Sequence, residues 1–131
     1  MSAARVLIVD DNPANLKLAA YLLSSKGYSV ATAVDAAGAM AAVRSCKPNL
    51  ILMDVQLPDM DGLTLTRSIK SNPHTSDVHI LAVTAGAMAG DDVRALAAGC
   101  DGYISKPIDT RLLAALVQDL LERSGSDEPH S

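Results

Sequence analysis

Aromatic side chains are almost missing from this chain: there is no tryptophan and no phenylalanine, and Tyr21, Tyr28 and Tyr103 make up the whole 2% share. A core therefore has to be packed from Leu, Val, Ile, Ala and Met, and any tyrosine near a site stands out. Cysteine is scarce too. Cys46 and Cys100 lie far apart without metal-ligand spacing and are too few to staple a small secreted fold, so they read as buried apolar residues in a reducing compartment. Basic charge is also in deficit, with 11 Lys and Arg against 15 Asp and Glu and a net charge of −4. The clustered cations that grip duplex DNA or an anionic membrane are not there. No apolar run approaches the ~20 residues that span a bilayer, and no signal peptide begins at Met1. These shortages predict a soluble cytoplasmic protein whose partners are neither nucleic acid nor membrane.

What the chain does have is 131 residues, 49% of them hydrophobic and 20% charged, with no repeat and no low-complexity tract. That suits one globular domain, expected over residues 1–123, with 124–131 as a loose polar tail. Apolar runs of strand length recur at Val6–Val9, Ser29–Val34, Leu50–Met53, His79–Val83 and Gly102–Ile104. Several are continuous rather than alternating, as in parallel strands covered on both faces. Helix-length segments separate them. Asn12 before Pro13 is an N-cap followed by a proline suited to the first helical position, and the helix stops at Gly27. Asp35 caps a second helix through Cys46, closed by Pro48. Further helices are expected over Gly62–Ser71, Asp91–Ala98 and Asp109–Arg123. Strands alternating with helices imply right-handed crossovers: an α/β, doubly wound, five-stranded parallel sheet with five helices.

In such a sheet ligands sit beyond the carboxyl ends of the strands. Those ends carry Asp10 and Asp11 after the first strand, Asp54 after the third, Thr84 after the fourth and Lys106 after the fifth. An isolated Asp-Asp pair is most simply a helix cap. A third acid on the same rim changes that balance, because two carboxylates about 4 Å apart repel by roughly 4 kcal/mol at an effective dielectric near 20. Lys106 offsets one charge, and Mg²⁺, which favours carboxylate and carbonyl oxygens, would offset the remainder. Beside such an ion Asp54 is placed to attack a phosphoryl group and hold it as an aspartyl phosphate. Lys106 would meet the phosphoryl oxygens as a point charge, and its bond to Pro107 is a candidate cis peptide. The Thr84 hydroxyl would donate to a phosphoryl oxygen. Tyr103 has two readings at this stage, packing at the sheet edge or swinging inward when Thr84 moves. Asp59 and Asp61 read as surface or capping groups, and His74 and His79 as surface residues rather than zinc ligands.

The segments LIVDDN, LILMDVQLPDMDG, AVTA and YISKP, in this order, resemble the receiver domains of two-component response regulators from Arg5 to about Glu122. The resemblance implies a flavodoxin-like strand order 2-1-3-4-5 and phosphorylation of Asp54 by a phosphohistidine of a sensor kinase or phosphotransfer protein. It further implies Mg²⁺ held by Asp11, Asp54 and the Gln56 carbonyl, with Asp10 acting through a metal-bound water. Thr84 and Lys106 would contact the phosphoryl group, and Tyr103 would be the aromatic switch. Gln56 and Gly86 occupy the positions that vary with the lifetime of the phosphorylated state. Among family members the chain is most like single-domain cell-division regulators. It is expected to lack a DNA-binding output domain and to signal by changing protein partners, with the phosphodonor docking on the first helix near Pro13, Asn15 and Leu16. The target would dock on the face of helix 4, strand 5 and helix 5. Competing readings are a receiver fragment of a longer regulator or hybrid kinase, a receiver-like module without phosphotransfer, and a haloacid dehalogenase-type phosphatase. The last would need an aspartate at position 56, where Gln56 stands.

Overall fold

In a computed structural model that describes the backbone of residues 4–84 and 91–127, five strands pair in parallel in the order β2-β1-β3-β4-β5. The elements are β1 Arg5–Val9, α1 Pro13–Ser25, β2 Ser29–Ala33, α2 Ala36–Cys46, β3 Leu50–Asp54, α3 Gly62–Ser71, β4 His79–Thr84, α4 Asp91–Ala98, β5 Gly102–Ser105 and α5 Thr110–Asp127. The strand order and the doubly wound architecture are those expected.

The pleat sorts the apolar runs into two cores. Leu7, Val9, Ile51, Met53, Ile80 and Ala82 face α2, α3 and α4. Val6, Ile8, Leu50, Leu52, Leu81 and Val83 face α1 and α5, with Leu113, Val117 and Leu120 packed on them. Both faces of the central strands are thus covered, which is why these runs do not alternate with polar residues. At roughly 1.5–3 kcal/mol for each fully buried large aliphatic side chain, these two layers supply the main driving force for the fold without aromatic help.

Helix ends follow local chemistry. Asn12 accepts from the N–H groups of Ala14 and Asn15, with Pro13 at the first helical position. Gly27, at φ +95°, lets the chain turn back after α1. Asp35 accepts from Gly38 N–H. Several boundaries shift from the expected ones. β3 and β4 each gain a residue, because Asp54 pairs in register with Val83 and Thr84 with Ser105. β2 stops at Ala33, whose carbonyl takes the Asp10 N–H at 3.1 Å. α2, by contrast, ends at Cys46 as expected, where Lys47 turns into the left-handed region at φ 48°. α5 continues to Asp127, so the first four residues of the expected tail are helical; extending an existing helix costs far less than starting one. Cys100 is buried as expected, whereas Cys46 is only partly buried.

Candidate functional site

Parallel strands place their carboxyl ends on one edge, and there the separate acids of the sequence meet. Asp10, Asp11 and Asp54 each offer a carboxylate oxygen, and these oxygens lie within 4.8 Å of one another. Asp10 and Asp54 are buried, at 3% and 2% exposure, while Asp11 is exposed. Lys106 reaches in from beyond β5, its Nζ 3.1 Å from Asp54 Oδ2. The Lys106–Pro107 bond is cis. Gln56 N–H donates to Asp54 Oδ1 at 3.0 Å, and Asn12 N–H donates to Asp10 Oδ1 at 2.9 Å. Thr84 is buried at the end of β4, and its carbonyl accepts the Lys106 N–H at 2.9 Å.

Tyr103 and Gly86 complete the expected set. Tyr103 is 43% exposed on β5, paired with Ala82 in register. Its neighbour Ile104 turns into the α1 and α5 core, so alternation turns Tyr103 toward the other face of the sheet. Gly86 lies outside the described residues.

Electrostatics mark this rim. Burial pushes the Asp54 carboxyl above its usual range; the Gln56 N–H and the Lys106 ammonium pull it back, and the Asp10 carboxylate adds to the rise. Three carboxylates against one ammonium leave two negative charges in a small, partly enclosed space. The donors are hard oxygens, which fits Mg²⁺ and gives no reason to expect a thiophilic metal.

Some of the residues that build the site escape a linear reading. Gly62 starts α3 so close to β3 that a β-carbon there would overlap the Asp54 carbonyl oxygen and come within 2.9 Å of Val55 Cα. The available signal was a glycine at a helix start already capped by Asp61, whose side chain accepts from Leu63 N–H at 2.8 Å. Asp59 is indeed a cap, but of a distant helix: it accepts from Ala36 and Ala37 N–H at 2.8 and 3.2 Å. The first of these bonds holds its carboxyl below the usual range. His79, expected at the surface, has a side chain only 17% exposed, with Nδ1 4.0 Å from Asp101 Oδ2. It starts β4, at the edge of the sheet opposite the acids. Among the described residues, the three-acid rim is the sole cluster arranged to hold a metal.

Residues 6–118 match the family model of the response regulator receiver domain, and the chain belongs to that family. The polar-differentiation response regulator DivK of Brucella anthropi is 42% identical over 103 residues, covering 79% of this chain and 84% of DivK. The response regulator PleD of Caulobacter vibrioides is 38% identical over 118 residues; the match covers 90% of this chain but only 26% of PleD. Among solved structures, the receiver domain of sensor histidine kinase PA1611 from Pseudomonas aeruginosa superposes with a TM-score of 0.84 at 33% identity. The match covers 92% of this chain and 99% of that one, and that structure has a magnesium ion coordinated in its active-site cleft. No helix among the described residues is long and apolar enough to cross a membrane.

Proposed function

We propose that the chain is a phosphorylation-dependent protein switch in which Asp54 accepts a phosphoryl group from a phosphohistidine of a sensor kinase or phosphotransfer protein. The observation that carries this reading is the buried Asp54 carboxylate, clustered with Asp10 and Asp11 and contacted by Lys106 at 3.1 Å. In the transfer an Asp54 oxygen forms a bond to phosphorus as the phosphorus–nitrogen bond breaks, and the electron pair leaves with the imidazole, which takes up a proton. Asp11, Asp54 and the Gln56 carbonyl would hold Mg²⁺, with Asp10 beside them, and the ion would supply positive charge to the phosphoryl oxygens. Lys106 neutralises charge on the same oxygens. Its ion pair with Asp54 opens as the carboxylate becomes an acyl phosphate, a mixed carboxylic–phosphoric anhydride, and the ammonium follows the new negative charge.

The switch runs through Thr84. Its hydroxyl turns to the phosphoryl group, and the space it leaves lets Tyr103 move inward from an exposed position at the edge of the sheet. The face that would read this change carries exposed apolar residues from α4, β5 and α5: Val93, Leu96, Tyr103 and Leu112. A run of that kind suits a protein partner. Next to α5 on the same face of the sheet, α1 starts at the acid rim and exposes Leu18 and Tyr21, which supports phosphodonor docking there. The likeness to DivK over 84% of DivK's length supports a receiver that acts through protein partners by itself.

The test is labelling with acetyl phosphate and Mg²⁺, read by intact mass. The native protein should gain one acid-stable, hydroxylamine-labile phosphoryl group, and Asp54→Asn should gain none. A native protein that stays unlabelled where another receiver labels would sink the proposal; a labelled Asp54→Asn would move the acceptor elsewhere.

A further inference from the structure

The segment between Asp54 and α3 is held at three points. Gly62 N–H donates to the Val55 carbonyl at 2.7 Å, with Gly62 itself pressed against the backbone of Asp54. Asp61 caps α3 through Leu63 N–H. These two holds tie the loop to the helix that follows it. The third leads out of the loop, where Asp59 Oδ1 accepts from Ala36 N–H at 2.8 Å and Oδ2 from Ala37 N–H at 3.2 Å.

This grip exceeds what α2 needs from a cap. Asp35 already accepts from Gly38 N–H at 2.7 Å in the ordinary N-cap manner, and the first N–H groups of a surface helix are commonly left to water. Here they are taken by both oxygens of one carboxylate, 23 and 22 residues away in the chain. A two-oxygen hold fixes orientation as well as distance. It also closes a circuit around the rim. Asp10 N–H bonds the Ala33 carbonyl at the end of β2, α2 begins at Ala36, and Asp59 returns the connection to the loop that follows Asp54. The two strands that carry the acids are thereby joined a second time, outside the sheet.

We infer that Asp59 is a positioning residue for the Asp54 site, anchoring the 55–61 loop to the start of α2 so that Gln56 and Asp54 keep one geometry toward a bound cation. This rests on the phosphoacceptor reading of the site. Gln56 N–H already bonds Asp54 Oδ1 at 3.0 Å, so a loop that drifts from α2 carries the Gln56 backbone away from the carboxylate. Groups that orient metal-binding residues from outside typically alter metal affinity by 10–100-fold when removed, and Asp59 acts at the lower end because Gly62 still holds the loop.

The experiment is a MgCl₂ titration of the full chain followed by two-dimensional ¹⁵N–¹H NMR at the amides of Asp11, Val55 and Gln56. Asp59→Ala should raise the magnesium concentration at half-saturation about tenfold. Asp59→Asn, which keeps one acceptor oxygen, should recover part of the loss. Asp35→Ala removes the other cap of α2 without touching the loop and should leave the half-saturation point where it was. Equal half-saturation in the native protein and Asp59→Ala overturns the inference; so does an equal shift in Asp35→Ala, which would show that helix stability alone is responsible. Asp59→Ser, too short to span the gap, replaces Asp59→Ala should the latter not fold. Acetyl phosphate labelling of the same samples separates the two readings. An unlabelled native protein defeats the phosphoacceptor function while the titration still judges Asp59, and a native protein whose amides ignore magnesium defeats the inference.

Discussion

Asp54 and Asp101 sit at opposite edges of the same sheet, and each has a lysine about 3 Å away. Asp101 Oδ2 accepts from Lys70 Nζ at 3.0 Å and from Ile80 N–H at 2.8 Å, and Lys70 also donates to the Val78 carbonyl. One acid meets one ammonium, and the hydrogen bonds close around them. Asp54 has a comparable pair of donors in Lys106 and Gln56 N–H, yet two more carboxylates crowd its side. The first arrangement ties β5 and α3 to β4. The second keeps a surplus of two negative charges, which is the surplus that the proposed cation would offset. A lysine–aspartate pair therefore says little about function until the remaining charge around it has been counted.

The sharpest way to break this comparison is to remove each lysine in turn. Lys106→Met should slow labelling of Asp54 by acetyl phosphate by about 100-fold, as expected when a charge aimed at the transferred group is lost. Lys70→Met should leave the labelling rate of the folded protein unchanged; a comparable slowing would erase the distinction between the two edges. Magnesium offers a second test. At a concentration about 100 times its Kd the ion should stabilise the native protein by roughly 2.7 kcal/mol in urea unfolding. Asp54→Asn should show a much smaller gain, and Asp101→Asn the full one.

Lys70→Met in turn should cost on the order of 1–3 kcal/mol in the same unfolding experiment, because it strips a charged donor from two acceptors that are only partly exposed. A loss well below this would place the pair among surface contacts. The gentlest effect concerns pH. Since burial raises the Asp54 carboxyl from 3.8, the folded state holds that proton more tightly than the unfolded one. Its contribution to stability is present below 3.8 and is lost as pH rises through the folded value. In metal-free buffer the stability of Asp54→Asn relative to the native protein should therefore increase with pH across that window. A difference that is flat or falls with pH would contradict the burial of the charge.

Much of this was legible beforehand. Unbroken runs such as LILM, bounded by turn residues, read as strands covered on both faces, and Asn12-Pro13, Asp35 and Asp61 carried their capping chemistry in the residue type. The acids were legible as a group because parallel strands of similar length end on one edge, so chain position after a strand translates directly into place on the rim. Strand ends were harder. Asp54 and Thr84 belong to their strands because Val83 and Ser105 pair with them, and no local pattern reports the neighbour's register. His79 was misjudged for a related reason: its enclosure comes from Asp101 and the chain around it, not from its own flanks.

Local pattern sufficed for the succession of strands and helices along the chain, and the shared edge of parallel strands sufficed to bring Asp10, Asp11 and Lys106 beside Asp54. The first depends on periodicity and on residue types within a few positions of one another, the second on where each strand ends. It took the folded chain to bring Asp59 to the start of α2, to press Gly62 against the Asp54 backbone and to pair Asp101 with Lys70 while leaving two further carboxylates beside Asp54. Each of these rests on contacts between segments distant in the chain, where a carboxylate finds its partners only after the sheet has set which ends lie together.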